Sequence, residues 1–303
     1  MKIVNIIGGL GNQMFQYAFA VALKKHFPVE EVKIDTQHYR NALVKKFRGN
    51  NFYHNGYEVS NIFPNANLPI ASAIDLAKVS YYIPNYIISK LARKVLPVRR
   101  TELIQGYMNA YLFNPEYLRD RRYSYYSGYW MSPKYFESCR EEVLETFEFP
   151  DFDSEENVKF AKMLALPTSV SIHIRRGDYV NAKSFKDICT LDYYKKAIKE
   201  ARNSIDNPIF FIFSNDQEWC MENLKEVLND SEVYFINHNR GNNSFRDMQL
   251  MSIARCNILA NSSFSWWGAY LNTRRDKIVF VPNHWVNILD DKDAYTDEWI
   301  KIK

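Results

Sequence analysis

The chain has 303 residues, of which 24% are charged and 47% hydrophobic, with a formal net charge of +4. That length leaves room for two ordinary domains with a sizeable core, and those proportions exclude a disordered or fibrous chain. Basic residues are spread along the sequence without forming a stripe, so no nucleic-acid partner is expected, and four cysteines without a Cys-x-x-Cys pair (Cys139, Cys189, Cys220, Cys256) fit reduced, mostly buried thiols better than a disulfide framework or a zinc site.

In chain order, residues 2–7 read as a short apolar strand, the glycines at 8, 9 and 11 turn the chain, and residues 12–27 form a helix apolar nearly all round. Strand, glycine turn and helix start is the geometry in which free backbone N–H groups meet an anion or a sugar hydroxyl, although the spacing matches neither familiar phosphate loop. The glycines in that loop, Gly11 included, serve either tight packing or close ligand approach. Residues 1–27 imitate an export signal, but the glycine cluster interrupts the apolar run and no membrane span follows; a cytoplasmic chain is expected.

A second strand near 31–35 precedes an irregular polar region over 36–67, read as long loops. Residues 71–96 are helical in pattern with a break at Pro84, and the segment 86–100 is basic and amphipathic, carrying Lys90, Arg93, Lys94, Arg99 and Arg100. Such a segment is either a solvated face or a weak peripheral contact with an anionic membrane, which would suit a lipid-linked acceptor. Strands are expected at 101–106 and 123–130, a helix at 132–147, and a domain boundary at the turn-forming 150–154.

Beyond that boundary the rhythm is regular. Strands at 170–174, 209–213, 232–236, 257–260 and 278–281 alternate with helical patterns at 190–204, 217–228, 244–255 and 265–274, which predicts a parallel, doubly wound sheet. Such a sheet binds its ligand beyond the carboxyl ends of its strands, and polar motifs collect there. The first strand delivers His173 and Arg175 to one face and ends in Arg175-Arg-Gly-Asp178; two guanidiniums at that mouth suit a diphosphate, or else pair with structural carboxylates. The second ends in Ser214-Asn-Asp216, where Asp216 either accepts from a guanine-like edge or caps the next helix. The fourth ends in Asn261-Ser-Ser-Phe-Ser-Trp-Trp-Gly268, with Ser262, Ser263 and Ser265 at a helix start that can cradle an anion. Ser244-Phe-Arg-Asp247 has the form of a capping box.

Three motifs together resemble the bacterial alpha-1,2-fucosyltransferase family: Gly8-Gly-Leu-Gly-Asn-Gln-Met-Phe-Gln-Tyr17, His173-Ile-Arg-Arg-Gly-Asp-Tyr179, and Asp247-Met-Gln-Leu-Met with Asn261-Ser-Ser-Phe-Ser-Trp-Trp-Gly268. The resemblance implies an α/β fold of GT-B arrangement, two Rossmann-like domains facing across a cleft. Residues 1–150 would form the acceptor-side domain and 151–303 the GDP-fucose-binding one. It implies inverting, metal-independent transfer of L-fucose from GDP-fucose, a co-substrate, to the 2-hydroxyl of a galactose-terminated glycan, with no cofactor. The catalytic candidates are Arg175, meeting charge on the departing phosphate, and Asp178, as the base or as the holder of an arginine. Donor-binding candidates are Gly11, Asn12, Gln13, His173, Arg176, Ser214, Asp216, Ser262, Ser263, Phe264 and Ser265. No metal ligands are expected: Asp151-Phe-Asp153 and Asp291-Lys-Asp293 read as solvated turns. The competing expectations are transfer to another hydroxyl or acceptor, and a sugar-binding protein without turnover.

Overall fold

The computed structural model describes residues 1–40, 55–81 and 86–303. Part of the irregular region 36–67 and the break at Pro84 lie outside the described residues, as do the side chains of Lys90 and Arg93. The chain divides into two compact units, Met1–Glu148 with Lys292–Tyr295, and Phe149–Asp291 with Thr296–Lys303.

The first unit contains β1 (Lys2–Asn5), α1 (Leu10–His26), β2 (Val32–Asp35), α2 (Gln37–Arg40), α3 (Val59–Ile62), α4 (Ala73–Val79), α5 (Tyr86–Val95), β3 (Glu102–Ile104), β4 (Tyr125–Ser127) and α6 (Arg140–Thr146). Its sheet has the order β2-β1-β4-β3 and every pairing is parallel. Helix α1 is buried from Leu10 to Leu23 with few breaks and exposes basic residues only in its last turn, where they complement the helix dipole. The helix expected over 132–147 is interrupted: two 3-10 turns, Pro133–Tyr135 and Glu137–Cys139, precede α6. Between them Phe136 leaves helical geometry, and Tyr135 and Phe136 are both fully buried, so aromatic packing overrides the local helical pattern.

The second unit contains α7 (Glu155–Leu164), β5 (Ser169–Ile174), α8 (Leu191–Ser204), β6 (Ile209–Ser214), α9 (Gln217–Leu224), β7 (Val233–Ile236), α10 (Phe245–Met251), β8 (Cys256–Ile258), α11 (Ser263–Tyr270), β9 (Ile278–Pro282) and β10 (Ile300–Ile302). Its sheet runs β10-β9-β8-β5-β6-β7 and is parallel throughout. In order of appearance that is 6-5-4-1-2-3, so the winding reverses between β5 and β8; that reversal opens a crevice beyond their carboxyl ends. Strand β5 is buried at all six positions, and Val170 and Ile172 pack with Tyr194, Ile198 and Phe210 in the core. Each such apolar side chain contributes about 1.5–3 kcal/mol relative to exposure. Register between β5 and β8 is reinforced by a buried polar contact, Asn257 Nδ2 donating to Ser171 Oγ at 2.7 Å.

Two sequence expectations about the chain's path change. Residues 151–303 do not all stay in the second unit, because Lys292–Tyr295 joins the first. Asp293 is not a solvated turn residue: it is buried, accepting from the Phe113 backbone N–H at 2.9 Å and from Lys134 Nζ at 2.7 Å. Asp291 likewise accepts from the Trp285 and Val286 backbone N–H groups. Asp153 is exposed but paired with the buried Arg246, which also donates to the Pro150 carbonyl at 2.9 Å and so ties residues 150–153 to α10. All four cysteines are free thiols. Among the described residues no helix is long and apolar enough to cross a membrane.

Candidate active site

The crevice at the winding reversal is furnished by the segments that follow β5, β6 and β8. Beyond β5 the chain turns at Gly177, whose φ is +60° and whose absent Cβ would lie 2.8 Å from Asn215 Nδ2, so a side chain there would be both strained and crowded. Asn215 itself accepts from the Arg176 backbone N–H at 2.9 Å, fastening the turn after β5 to the turn after β6. The two arginines are thereby held in different settings.

Arg175 Nη2 forms an ion pair with Asp178 Oδ1 at 2.8 Å, and its guanidinium carbon lies 5.4 Å from the centre of the Tyr179 ring. Its Nε is buried without a hydrogen-bond partner. His173, two residues earlier, is 7% exposed and its Nδ1 is also buried and unpartnered. Burial, helped by the neighbouring Arg175 charge, pushes the imidazole down from 6.5 to about 3, so the ring is neutral at physiological pH. Leaving a buried polar group unsatisfied costs about 1–3 kcal/mol. Two such atoms, on residues of one strand end, mark a place where an acceptor-rich ligand would relieve both.

Arg176 is braced by protein through one edge of its guanidinium. Its Nε donates to Asp216 Oδ2 at 3.0 Å and its guanidinium lies over the Trp219 ring at 4.1 Å. Asp216 Oδ1 accepts from the Trp219 backbone N–H at 3.2 Å, capping α9. Asp216 thus caps α9 and orients Arg176, and each of its carboxylate oxygens keeps a second lone pair for a ligand donor. Ser214 Oγ accepts from the Asp216 backbone N–H at 2.9 Å and so shapes the turn, with its own O–H still able to donate.

After β8, Ser262 is the N-cap of α11, its Oγ accepting from the Phe264 backbone N–H at 3.4 Å. The Phe264 ring lies 5.8 Å from the His173 ring, which brings the helix start beside the end of β5. Ser263 is partly exposed in the first turn. Ser265 corrects the sequence reading: it is fully buried and contacts the Ala260 and Ser262 carbonyls, so its hydroxyl braces the loop. The capping box at Ser244 is absent, since the Ser244 side chain makes no cap bond; Asp247 instead accepts from Asn239 Nδ2 at 2.8 Å. Burial raises the Asp247 carboxyl from 3.8 to about 7, against the opposing effect of that hydrogen bond.

Gly11, Asn12 and Gln13 belong to the first unit, at the start of α1. Gly8 turns the chain there with φ +86°, and a Cβ on it would lie 2.8 Å from Asn12 Nδ2. Gln13 does not face a ligand. It is fully buried, its Nε2 donates to the Gly8 and Gly56 carbonyls at 3.1 and 2.8 Å, and its Oε1 accepts from the Glu58 backbone N–H at 2.9 Å. Gln16 and Tyr17 behave alike, Gln16 bridging the Ile7 N–H and the Gly128 carbonyl and the Tyr17 hydroxyl accepting from the Leu68 N–H. Much of this glycine-rich motif is thus scaffolding for loops. Asn215 and Trp219 were not singled out in the sequence; the only signal for Trp219 was its place three residues after a helix-capping aspartate.

A parallel sheet wound 3-2-1-4-5-6 with two arginines and a helix start at its reversal is a nucleotide-binding type of architecture. The chain matches glycosyl transferase family 11 over residues 1–303 and belongs to that family; it is a glycosyltransferase. It is 31% identical to an alpha-1,2-colitosyltransferase of Escherichia coli, over 99% of this chain and 98% of that one. It is 28% identical to the O-antigen biosynthesis glycosyltransferase WbnK of Escherichia coli, over 97% and 98%. It is 26% identical to galactoside alpha-(1,2)-fucosyltransferase 2 of Mus musculus, over 99% of this chain and 77% of that one.

Proposed function

We propose that this glycosyltransferase moves L-fucose from GDP-beta-L-fucose to the 2-hydroxyl of a galactoside, with inversion and without a metal ion, in the assembly of a surface glycan. The observation that carries the reading is the pair of buried, unpartnered nitrogens on His173 and Arg175 beside the start of α11. The alpha-1,2 linkage rests on the names of two relatives, and the surface-glycan setting on the third.

In this reading the acceptor oxygen attacks the anomeric carbon from the face opposite GDP. The bond from that carbon to the phosphate oxygen breaks, and its electron pair stays on the β-phosphate. Arg175 and the N–H groups at the start of α11 meet that charge; such preorganised donors each typically supply about a hundred- to a thousand-fold in rate. Neutral His173 contributes an N–H without adding a second buried cation. Arg176, braced by Asp216 and Trp219, holds the diphosphate from the side. Asp178 takes the proton of the acceptor hydroxyl while its other interaction keeps Arg175 in place. Fixed cations and helix N–H groups give the phosphate the charge a divalent ion would otherwise give, which is why no metal is invoked.

The test is incubation with GDP-fucose and a panel of beta-galactosides in EDTA, followed by linkage analysis. An alpha-1,2-fucosylated product is expected. Because one relative is named for colitose, which is fucose without its 3-hydroxyl, a parallel arm uses GDP-colitose; preference for it would replace fucose as the donor sugar. Loss of transfer in EDTA would overturn the metal-independent reading, and a different linkage the regiochemistry.

A further inference from the structure

We propose that helix α5 and the segment that follows it form a docking surface for an anionic lipid bilayer. Ile88, Leu91 and Val95 stand at i, i+3 and i+7, so they form one stripe along α5, and they are 50%, 56% and 83% exposed. Leu96 and Val98, directly after the helix, are 44% and 53% exposed. Five large apolar side chains within eleven residues thus keep between 44% and 83% of their surface in solvent.

The charge around them selects the occupant. From residue 76 to residue 101 the sequence holds Lys78, Lys90, Arg93, Lys94, Arg99 and Arg100 and no acidic residue. On the helix wheel position 94 borders the apolar stripe, and positions 90 and 93 lie farther round on the polar face. A second copy seated on the same face would bring two such basic sets together, whereas anionic headgroups neutralise them and the acyl region receives the apolar stripe. The segment is also tied to the body of its unit: the Arg99 guanidinium lies over the Tyr81 ring at 4.5 Å and donates to the Ala77 carbonyl at 3.5 Å. A bilayer held by this face would hold the first unit with it. The surface uses none of the residues assigned to transfer and stands independently of the donor and linkage.

The experiment is sedimentation of the purified full chain with sucrose-loaded vesicles of phosphatidylglycerol and phosphatidylcholine, beside vesicles of phosphatidylcholine alone. Wild-type protein is expected to pellet with the anionic vesicles at low salt and to be released at high salt. Leu91→Glu combined with Val95→Glu, both on exposed side chains, should weaken that binding by about tenfold or more, and Lys94→Glu combined with Arg100→Glu should do the same. Both variants should transfer sugar to a soluble galactoside like wild type, which separates a lost membrane contact from a misfolded or inactive enzyme. Absence of wild-type binding to anionic vesicles at low salt would overturn the proposal, as would unchanged binding by both variants. A wild-type dimer in light scattering that Leu91→Glu with Val95→Glu dissociates, without vesicle binding, would assign the face to a second copy instead.

Discussion

Arg175 and Asp178 hold each other at 2.8 Å across one turn of chain, yet the same guanidinium keeps its Nε buried without a partner. A carboxylate that engages only one edge of an arginine orients it and leaves donor capacity for a ligand. The ion pair therefore positions the cation and does not saturate it.

Arg175→Ala should lower kcat by about a hundred- to a thousand-fold, with a smaller change in the KM for donor, because the phosphate gains charge only as the bond breaks. Arg175→Lys should recover little of this, since an ammonium cannot present two donor edges. Steady-state kinetics at saturating acceptor give the measurement; near-wild-type kcat in Arg175→Ala would remove the phosphate-clamp mechanism.

Asp178→Asn keeps the shape of the side chain but cannot accept the acceptor's proton. If it is the base, kcat should fall by about a hundred-fold or more and the acidic limb of the kcat/KM profile should disappear. A variant that loses activity but keeps that limb would reduce Asp178 to the residue that orients Arg175.

Trp219 touches Arg176 through its ring at 4.1 Å and has its backbone N–H capped by Asp216. Trp219→Leu removes the ring and leaves the cap, so the KM for donor should rise several-fold while kcat changes less. Asp216→Asn removes the charge facing Arg176 and should act in the same direction. Product-inhibition constants for GDP, compared across the two variants, report whether Arg176 has lost its hold on the diphosphate.

Gln13 separates scaffolding from binding. Its amide satisfies two carbonyls and one N–H in a fully buried setting, so Gln13→Ala should cost about 2–4 kcal/mol of stability. Thermal unfolding should register that loss, and the KM for donor measured well below the new midpoint should stay near wild type. A large KM change with an unaltered Tm would restore the donor-binding role that the glycine-rich motif suggested.

Two buried groups give stability opposite pH dependences. The unfolded chain protonates His173 below 6.5 whereas the folded chain resists until about 3, so this group removes stability as pH falls through that window. Asp247 is the reverse: the folded chain keeps its proton up to about 7 while the unfolded chain releases it near 3.8. Its contribution is complete below 3.8 and is lost as pH rises through 7. Asp247→Asn should therefore raise Tm at pH 8 by about 2–4 °C and change it little at pH 4. An equal shift at both pH values would mean that the carboxyl is not held neutral by burial.

The chemistry-bearing strand and its neighbours were legible without coordinates because local rules govern them. Strand β5 alternates Val170, Ile172 and Ile174 with polar residues and is followed by two arginines and a glycine, and its alternation with helices announces a parallel sheet whose strand ends carry the ligand. Ser262 as a helix cap follows from its position before an apolar helix. What local pattern misjudged is the use of polar side chains. Gln13 and Ser265 look like ligand contacts in sequence but are buried against backbone groups supplied by distant or looping chain, and Ser244 and Asp247 spell a capping box that Asn239 draws apart. Hydrogen-bond partners at long sequence separation decide those roles, and only folding names them. So too for residues 292–295, which sequence order assigns to the second unit and a buried Asp293 fastens to the first. Amino-acid order alone determined which strands form and which residues stand at their ends. The tertiary structure decided which of those residues remain open to a ligand, because that depends on what else the fold brings within reach of each polar atom.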